Sequence, residues 1–273
     1  MDDCKNFIEH VKNIDISMVF VSGGSFFMGN DRNLDVECGE DEIPKHNVVL
    51  PDFFISKYLI NICQFGLFIS DSGYLTDAEK KGWAWCWKEN NVGEYDWVKV
   101  NGVNWRCRED GSIRHKTEEN YPVLYVSYND AKAFCAWLKE ITGKNYRLPK
   151  ESEWEFAARG GLYSNGFKYS GSNNPLEVAW HNDNSSESHR IGMLLPNELG
   201  IFDMSGNARE WTDDWYQVYC DNYNYNNLEI PMKKYKVLRG GGWNYSKRCI
   251  RVSNRNHGMP DSCRNNDGFR IAL

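Results

Sequence analysis

The chain has no apolar run that reaches the roughly 18–20 residues needed to cross a bilayer. Its opening, MDDCKNFIEHVKNIDISMVF, lacks the marks of a secretory signal. It begins acidic and offers neither a continuous apolar core nor a small-residue cleavage site. No basic stripe is present, and a net charge of −6 argues against nucleic acid or an anionic membrane as partner. The 9 cysteines include no CxxC pair, and an odd count without an export signal fits reduced thiols better than a disulfide framework. Together these absences lead us to expect a cytoplasmic protein. The 6 histidines form no HxH or HxxxH pair, which removes the usual mononuclear iron and zinc sites. There is no P-loop and no dinucleotide fingerprint; Gly160-Gly161 and Gly240-Gly241-Gly242 read as turns. No linker, low-complexity block or internal repeat divides residues 1–273, so one domain is expected.

What is present is aromatic. The 11 Trp, 15 Tyr and 13 Phe can fill a core with little aliphatic content, while 23 Gly with many Asn and Asp point to a loop-rich fold. Residues 1–15 suggest a short amphipathic helix with Phe7, Ile8 and Val11 on one face. Met18–Gly29 reads as a hairpin about its Gly-Gly pair, and His46–Tyr58 as a strand with an edge or bulge at Pro51. The acidic stretch between Asp31 and Glu42 reads as a loop. Asn61 and Gln64 have capping-box spacing ahead of a helix that buries Phe65, Phe68 and Ile69 and stops at Gly73. Ser127 starts a second helix, with Asp130 in its first turn and Gly143 at its end. A third runs from about Lys150 to Arg159. Lys80–Arg108, with its many Trp, shows neither period and predicts irregular, aromatic-pinned structure. Beyond Gly160 turns and short strands are expected.

Several segments, in order, resemble the formylglycine-generating-enzyme (sulfatase-modifying factor) family. They include MVFVSGGSFFMGN, YPVLYVSYNDAKAFCAWL, RLPKESEWEFAARGG, LGIFDMSGNAREWTDDW, RGGGWN and the terminal GFRIAL. The likeness spans nearly the whole chain. It implies an α+β, C-type lectin-like fold of the formylglycine-generating-enzyme type, loop-rich, with a central antiparallel sheet and a few helices.

The resemblance also implies calcium. Calcium takes six to eight hard oxygens from carboxylates and turn carbonyls. In Asp203-Met-Ser-Gly206-Asn-Ala208-Arg-Glu210, Asp203 and Glu210 can give carboxylates and Gly206 and Ala208 carbonyls. Read without the family, the same residues make a turn that Asp203 caps, with Glu210 in solvent. The resemblance favours a structural ion at these four positions, with a second ion near His181–Gly200, so one or two are expected.

The family's enzymes oxidise a substrate cysteine through copper(I) held by two closely spaced thiolates, soft ligands suited to that ion. The matching stretch here, GGGWNYSKRCIRVSNRN, holds only Cys249; the next thiol, Cys263, is far along the chain. Copper is therefore not expected. The thiols read instead as a small buried hydrophobe at Cys249 and a surface residue at Cys263. Cys135 sits where the family has a half-cystine, but the partner position holds Ile271.

Residues 239–273 look like a recognition surface. Tyr, Ser, Asn and Gly are the currency of antibody-like paratopes, and here Asn244, Tyr245, Ser246, Asn256, His257, Gly258, Ser262, Cys263, Asn265, Asn266 and Asp267 stand among scaffold-like Arg251, Arg255, Pro260 and Arg270. The segment resembles the variable region of diversity-generating-retroelement target proteins, which share the fold and the GFR ending. Adenine-directed change of Asn codons yields Tyr, His, Asp, Ser, Gly, Cys or Arg; the polar positions fit that set, while Lys247 and Met259 would have to be fixed or of other origin. An ordinary Asn-rich loop remains the other reading. The expectation is a binding protein that presents residues 243–267, with Trp243, Arg248 and Ile250 included, to a protein or peptide. Its alternatives are an oxidase that uses Cys249 and a catalytically inactive regulatory paralogue.

Overall fold

The computed structural model describes residues 5–33, 35–90, 93–219 and 234–273. Strands β1 (Phe7–Val11), β2 (Ile14–Val21) and β5 (Phe53–Ser56) form an antiparallel sheet in the order β1-β2-β5. The expected N-terminal helix is a strand. Its inward positions are Glu9 and Val11, and Glu9 is held by the Tyr146 hydroxyl and by Lys144 Nζ at 2.5 Å. That alternation, with a buried carboxylate in it, overrides the helical spacing of Phe7, Ile8 and Val11.

The expected hairpin about Gly23 is also replaced. β3 (Gly24–Met28) pairs with β4 (His46–Leu50), not with β2. Because Val21 lies opposite Phe53 and Gly24 opposite Leu50, β2-β3 and β4-β5 make one long ribbon, bent at Gly23 and at Pro51-Asp52. Gly23 is required by closeness rather than by a turn: a Cβ there would stand 2.3 Å from the Leu50 carbonyl oxygen. The break at Pro51 is the one its missing N–H predicts.

The helices follow their caps. α1 (Ile62–Ser72) begins at Asn61, whose side chain accepts from the Gln64 N–H, and ends at left-handed Gly73. α2 (Asp77–Lys81) runs from Thr76 to Gly82. β6 (Trp83–Glu89) and β7 (Tyr95–Asn101) then form an antiparallel ribbon in regular register from Trp83 opposite Asn101 to Glu89 opposite Tyr95. Irregular structure was expected here. The alternation was hidden because both faces of β6 are apolar: Ala84 and Cys86 are buried, while Trp83, Trp85 and Trp87 are half-buried opposite them.

α3 (Tyr128–Thr142) has the capping box of Ser127 and Asp130 and ends at left-handed Gly143. α4 (Glu151–Ala158) has Lys150 as its N-cap. A single turn, α5 (Pro175–Val178), precedes the long loop to β8 (Arg209–Trp215). β8 joins β9 (Lys236–Arg239), β10 (Arg255–Gly258) and β11 (Asp267–Gly268) in the order β10-β9-β8-β11. This central sheet is antiparallel except for the parallel β11-β8 pair. No helix among the described residues is long and apolar enough to cross a membrane.

Phe65, Phe68, Phe134, Trp137, Trp211 and Phe269 fill the main core between α1, α3 and the sheet. Phe134 and Phe269 meet edge to face at 5.4 Å, a geometry the ring quadrupoles favour. The described cysteines are all free. Burial raises the Cys135 thiol to about 12, so it is an inert part of this core.

Candidate functional site

The turn from Asp203 to Glu210 is wound tightly by left-handed residues, with φ of 59° at Asp203, 76° at Gly206 and 63° at Asn207. At Gly206 a Cβ would lie 2.3 Å from the Trp180 carbonyl oxygen, so only glycine fits. Asp203 is buried and its Oδ2 accepts from the Gly192 N–H at 2.7 Å. Burial pushes its carboxyl up to about 6, against the pull of the Gly192 N–H and Arg270.

Glu210 is not solvated. Arg270 Nε and Nη2 donate to its two oxygens at 2.6 and 2.8 Å, and Trp154 Nε1 donates to Oε2 at 2.8 Å. Arg270 in turn donates to the Ser56 and Phe202 carbonyls. Three of the roughly four lone-pair sites of the carboxylate are thus filled, and one at Oε1 is left. The buried carbonyls of Gly206 and Ala208 take no hydrogen bond among the described residues, and Asp203 and Glu210 repel one another electrostatically. A carboxylate whose charge lacks full compensation, beside carbonyls without partners, is a donor set that suits a hard cation.

We therefore keep calcium as a proposal. Asp203 is its principal carboxylate, Gly206 and Ala208 supply carbonyls, and Glu210 is first the partner of Arg270. Calcium should raise the melting temperature of the native protein, since an ion that binds only the folded state stabilises it by about 2.7 kcal/mol at a hundredfold excess over Kd. Asp203→Asn should abolish that response. The response should fade as the pH falls through about 6, where Asp203 takes up a proton. Calorimetry with and without calcium measures both effects, and an undiminished rise in Asp203→Asn would refute the assignment.

The C-terminal residues expected at a ligand surface divide by burial. Ile250, Gly258, Cys263, Asn265 and Asp267 are buried, which corrects their expected role. Ile250 packs with Tyr169, Val178 and Ala179. A Cβ on Gly258 would come 2.8 Å from the Trp211 ring. Asn265 accepts from the Trp87 N–H at 3.0 Å and donates to the Glu109 carbonyl at 3.0 Å. Asp267 takes Arg209 Nε at 2.7 Å. Trp243 is largely buried, and its Nε1 donates to the Asn265 carbonyl. Asn244, Tyr245, Ser246, Arg248, Asn256, His257 and Ser262 keep exposed surface. Among them Tyr245 and Asn256 are brought together by buried Arg209, whose Nη1 donates to both at 2.9 and 3.1 Å.

The thiols stand in reversed places. Cys263 is buried with Ala84 and Cys86, and burial raises its pKa strongly. Cys249 is half-exposed on the short 3-10 turn Lys247–Ile250, with Ser246 Oγ at 3.8 Å from its sulfur.

A cleft of about 500 Å³ opens between the β6-β7 ribbon and the Trp243 turn. Trp87, Tyr95 and Trp243 supply its apolar area, and Asn182, Asn244, Ser185 and Ser186 its amides and hydroxyls. Both walls are fixed. The ribbon is tied to the C-terminal segment by the Trp85 N–H to the Cys263 carbonyl at 2.9 Å and the Asn265 N–H to the Trp85 carbonyl at 3.0 Å. The 182 loop is tied by the Asn182 N–H to the Tyr245 carbonyl at 3.0 Å. Glu109, also on the wall, is neutralised by Arg114 Nη2 at 2.9 Å and receives Ser188. Apart from Trp243 and Asn244, these wall residues were missed in the sequence. The only signals were the tryptophans of β6 and the polar run around Asn182–Ser186.

Residues 7–273 match the model of the sulfatase-modifying factor enzyme 1-like domain. The chain belongs to that family. Formylglycine-generating enzyme of Mus musculus is 33% identical over 93% of this chain and 74% of its own length. The Bos taurus protein named inactive C-alpha-formylglycine-generating enzyme 2 is 30% identical over 94% of this chain and 88% of its own. Among solved structures, Treponema denticola variable protein 1 superposes with a TM-score of 0.71 at 22% identity, covering 98% of this chain and 99% of that one. PvdO from Pseudomonas aeruginosa gives 0.70 at 24%, covering 97% of each. This sulfatase-modifying-factor domain therefore has the α+β, C-type lectin-like architecture that the motifs implied, and its sequence relatives include proteins named as enzymes and as inactive homologues.

Proposed function

We propose that the chain is a recognition protein whose protein or peptide ligand enters the cleft between the β6-β7 ribbon and Trp243. The supporting observation is the lining. Three aromatic side chains sit among amides, hydroxyls and the charged Lys88, Glu109 and Asp110 on walls fixed by backbone hydrogen bonds, and among the described residues no thiol lies on them. Large rigid rings give contact area at low entropic cost, and amides adapt their hydrogen bonds to the partner. The similarity in fold to Treponema denticola variable protein 1 agrees with this reading. A position open to diversification must tolerate many side chains. That restricts any variable set to exposed Ser246 and His257 and half-buried Asn244, Asn256 and Ser262, and removes Asn265 and Asp267.

Panning a random peptide library on the calcium-loaded protein tests the site. Selected peptides should bind Ser185→Trp, in which an indole fills the cleft, at least tenfold more weakly, with the melting temperature measured alongside because the Ser185 hydroxyl also bonds Glu187 and His189. Equal binding would place the site elsewhere. The same protein, given copper(I), oxygen and a cysteine peptide, should form no formylglycine by mass spectrometry. Formation that Cys249→Ser abolishes would return the chain to catalysis.

A further inference from the structure

The outward side of the β6-β7 ribbon, which lines the cleft at Trp87 and Tyr95, extends beyond it. Side chains alternate across a strand, so Trp83, Trp85 and Trp87 share one side of β6. Their partners on that side are Asn101, Lys99 and Trp97 of β7. The parallel bridge between Trp85 and Arg264 adds Arg264 to the same side. The four indoles are half-buried and Lys99 is exposed.

Between its two ends, where Asn101 and the Glu89–Tyr95 pair lie on the same side, the hydrogen-bonding character of this face is one-sided. Indole, ammonium and guanidinium groups donate and cannot accept. Its cations also lie over its rings: Lys99 Nζ is 4.2 Å from the Trp83 centroid and the Arg264 guanidinium 4.9 Å from that of Trp97. Among the described residues neither Lys99 nor Arg264 makes an ion pair, whereas neighbouring Lys81 is paired with Asp261 at 2.8 Å. Arg264 Nε is buried and has no hydrogen-bond partner. Exposed Lys99 on a row of indoles, with Arg264 beside it sharing the charge of buried Asp267, concentrates positive charge here in a chain of net charge −6.

We propose that this face binds an acidic peptide segment, which supplies acceptors and negative charge to its centre around Lys99 and Arg264. The proposal deepens the recognition function and rests on it: the segment in the cleft continues over the ribbon through Asp or Glu side chains. Cations seated over Trp83 and Trp97 cover ring faces that a nucleobase would need for stacking. Carboxylates reach the ammonium and guanidinium directly.

Fluorescence anisotropy of a labelled deca-glutamate peptide, with deca-lysine and a ten-nucleotide oligo(dT) as comparisons, tests it. The net negative charge works against non-specific attraction of polyglutamate, so binding reports this face. Deca-glutamate should bind, weaken as salt rises, and lose at least tenfold affinity in Lys99→Glu and in Arg264→Gln, with melting temperatures measured alongside. Should Arg264→Gln fail to fold, Lys99→Glu decides, since Lys99 is exposed. No binding of deca-glutamate, binding indifferent to Lys99→Glu, or tighter binding of oligo(dT) would each overturn the proposal. Peptides selected on the cleft separate the two ideas. If they are lost in Ser185→Trp but unaffected by Lys99→Glu, the cleft stands and the acidic segment falls.

Discussion

Arg270→Met is expected to destabilise the protein by about 3–5 kcal/mol, the cost of leaving a buried charge without its partner. In this variant Glu210, fully buried, keeps only Trp154 Nε1, and the Ser56 and Phe202 carbonyls lose their donor. The melting temperature should fall by on the order of 10 °C. Glu210→Ala strands the guanidinium instead and should cost a similar amount, with or without calcium. The paired change Glu210→Leu with Arg270→Met should recover a good part of the loss, because apolar groups of similar volume need no compensation. Urea denaturation of the single and double variants measures the coupling, and simple additivity would show that the two residues act independently.

The second large effect lies at Glu42. Burial alone would raise this carboxyl, but hydrogen bonds and charge from Arg251, with Ser253 and the Gly39 N–H, hold it near 2 rather than 4.5. Arg251 grips it at 2.8 and 2.5 Å and also reaches Asp35 at 3.0 Å. A depressed folded pKa gives stability that is complete above about 4.5 and disappears as the pH falls toward 2, worth roughly 2–3 kcal/mol. Buried Asp130 and Asp203 work the other way. Burial raises each to about 6, so calcium-free protein binds protons on folding between about pH 6 and 4 and gains stability there as the pH drops. This gain is opposed by His181, His189 and His257, which burial keeps neutral below their usual value, so the acid limb below about pH 4.5 is the part set by Glu42. Glu42→Gln should lose most of its stability relative to wild type at pH 7 and much less at pH 2.5. Chemical denaturation across that range checks this, and a difference independent of pH would show that the Glu42 charge is not what matters.

Local signals were legible wherever a few neighbouring residues settle the outcome. The boxes at Asn61-Gln64 and Ser127-Asp130 and the glycines at 73 and 143 set helix ends as read. Pro51 broke a strand as its missing N–H requires. The failures came from partners distant in sequence. Nothing near Gly23 reveals that Leu50 will pass against it, and nothing near Phe7 reveals that Glu9 will be met by Tyr146 and Lys144. The chemistry of the site divides similarly. The turn at Asp203–Glu210 was visible as a donor set, yet Arg270 as the partner of Glu210 was not. Trp243 and Asn244 were visible, but the rest of the lining, Trp87, Tyr95 and Asn182, became so only after folding. Composition suggested that Asn265 and Asp267 were variable, whereas burial makes them structural.

Arg251, Arg255 and Arg270 each cross from the C-terminal segment to a remote carboxylate, Glu42, Glu151 and Glu210 respectively. For an engineer this makes the segment a rack with fixed bolts and empty slots. Libraries placed at Ser246 and Lys247, which are exposed, should leave thermal behaviour close to that of the parent. Libraries at Asn265 or Asp267 would be lost mainly to misfolding before any selection for affinity began.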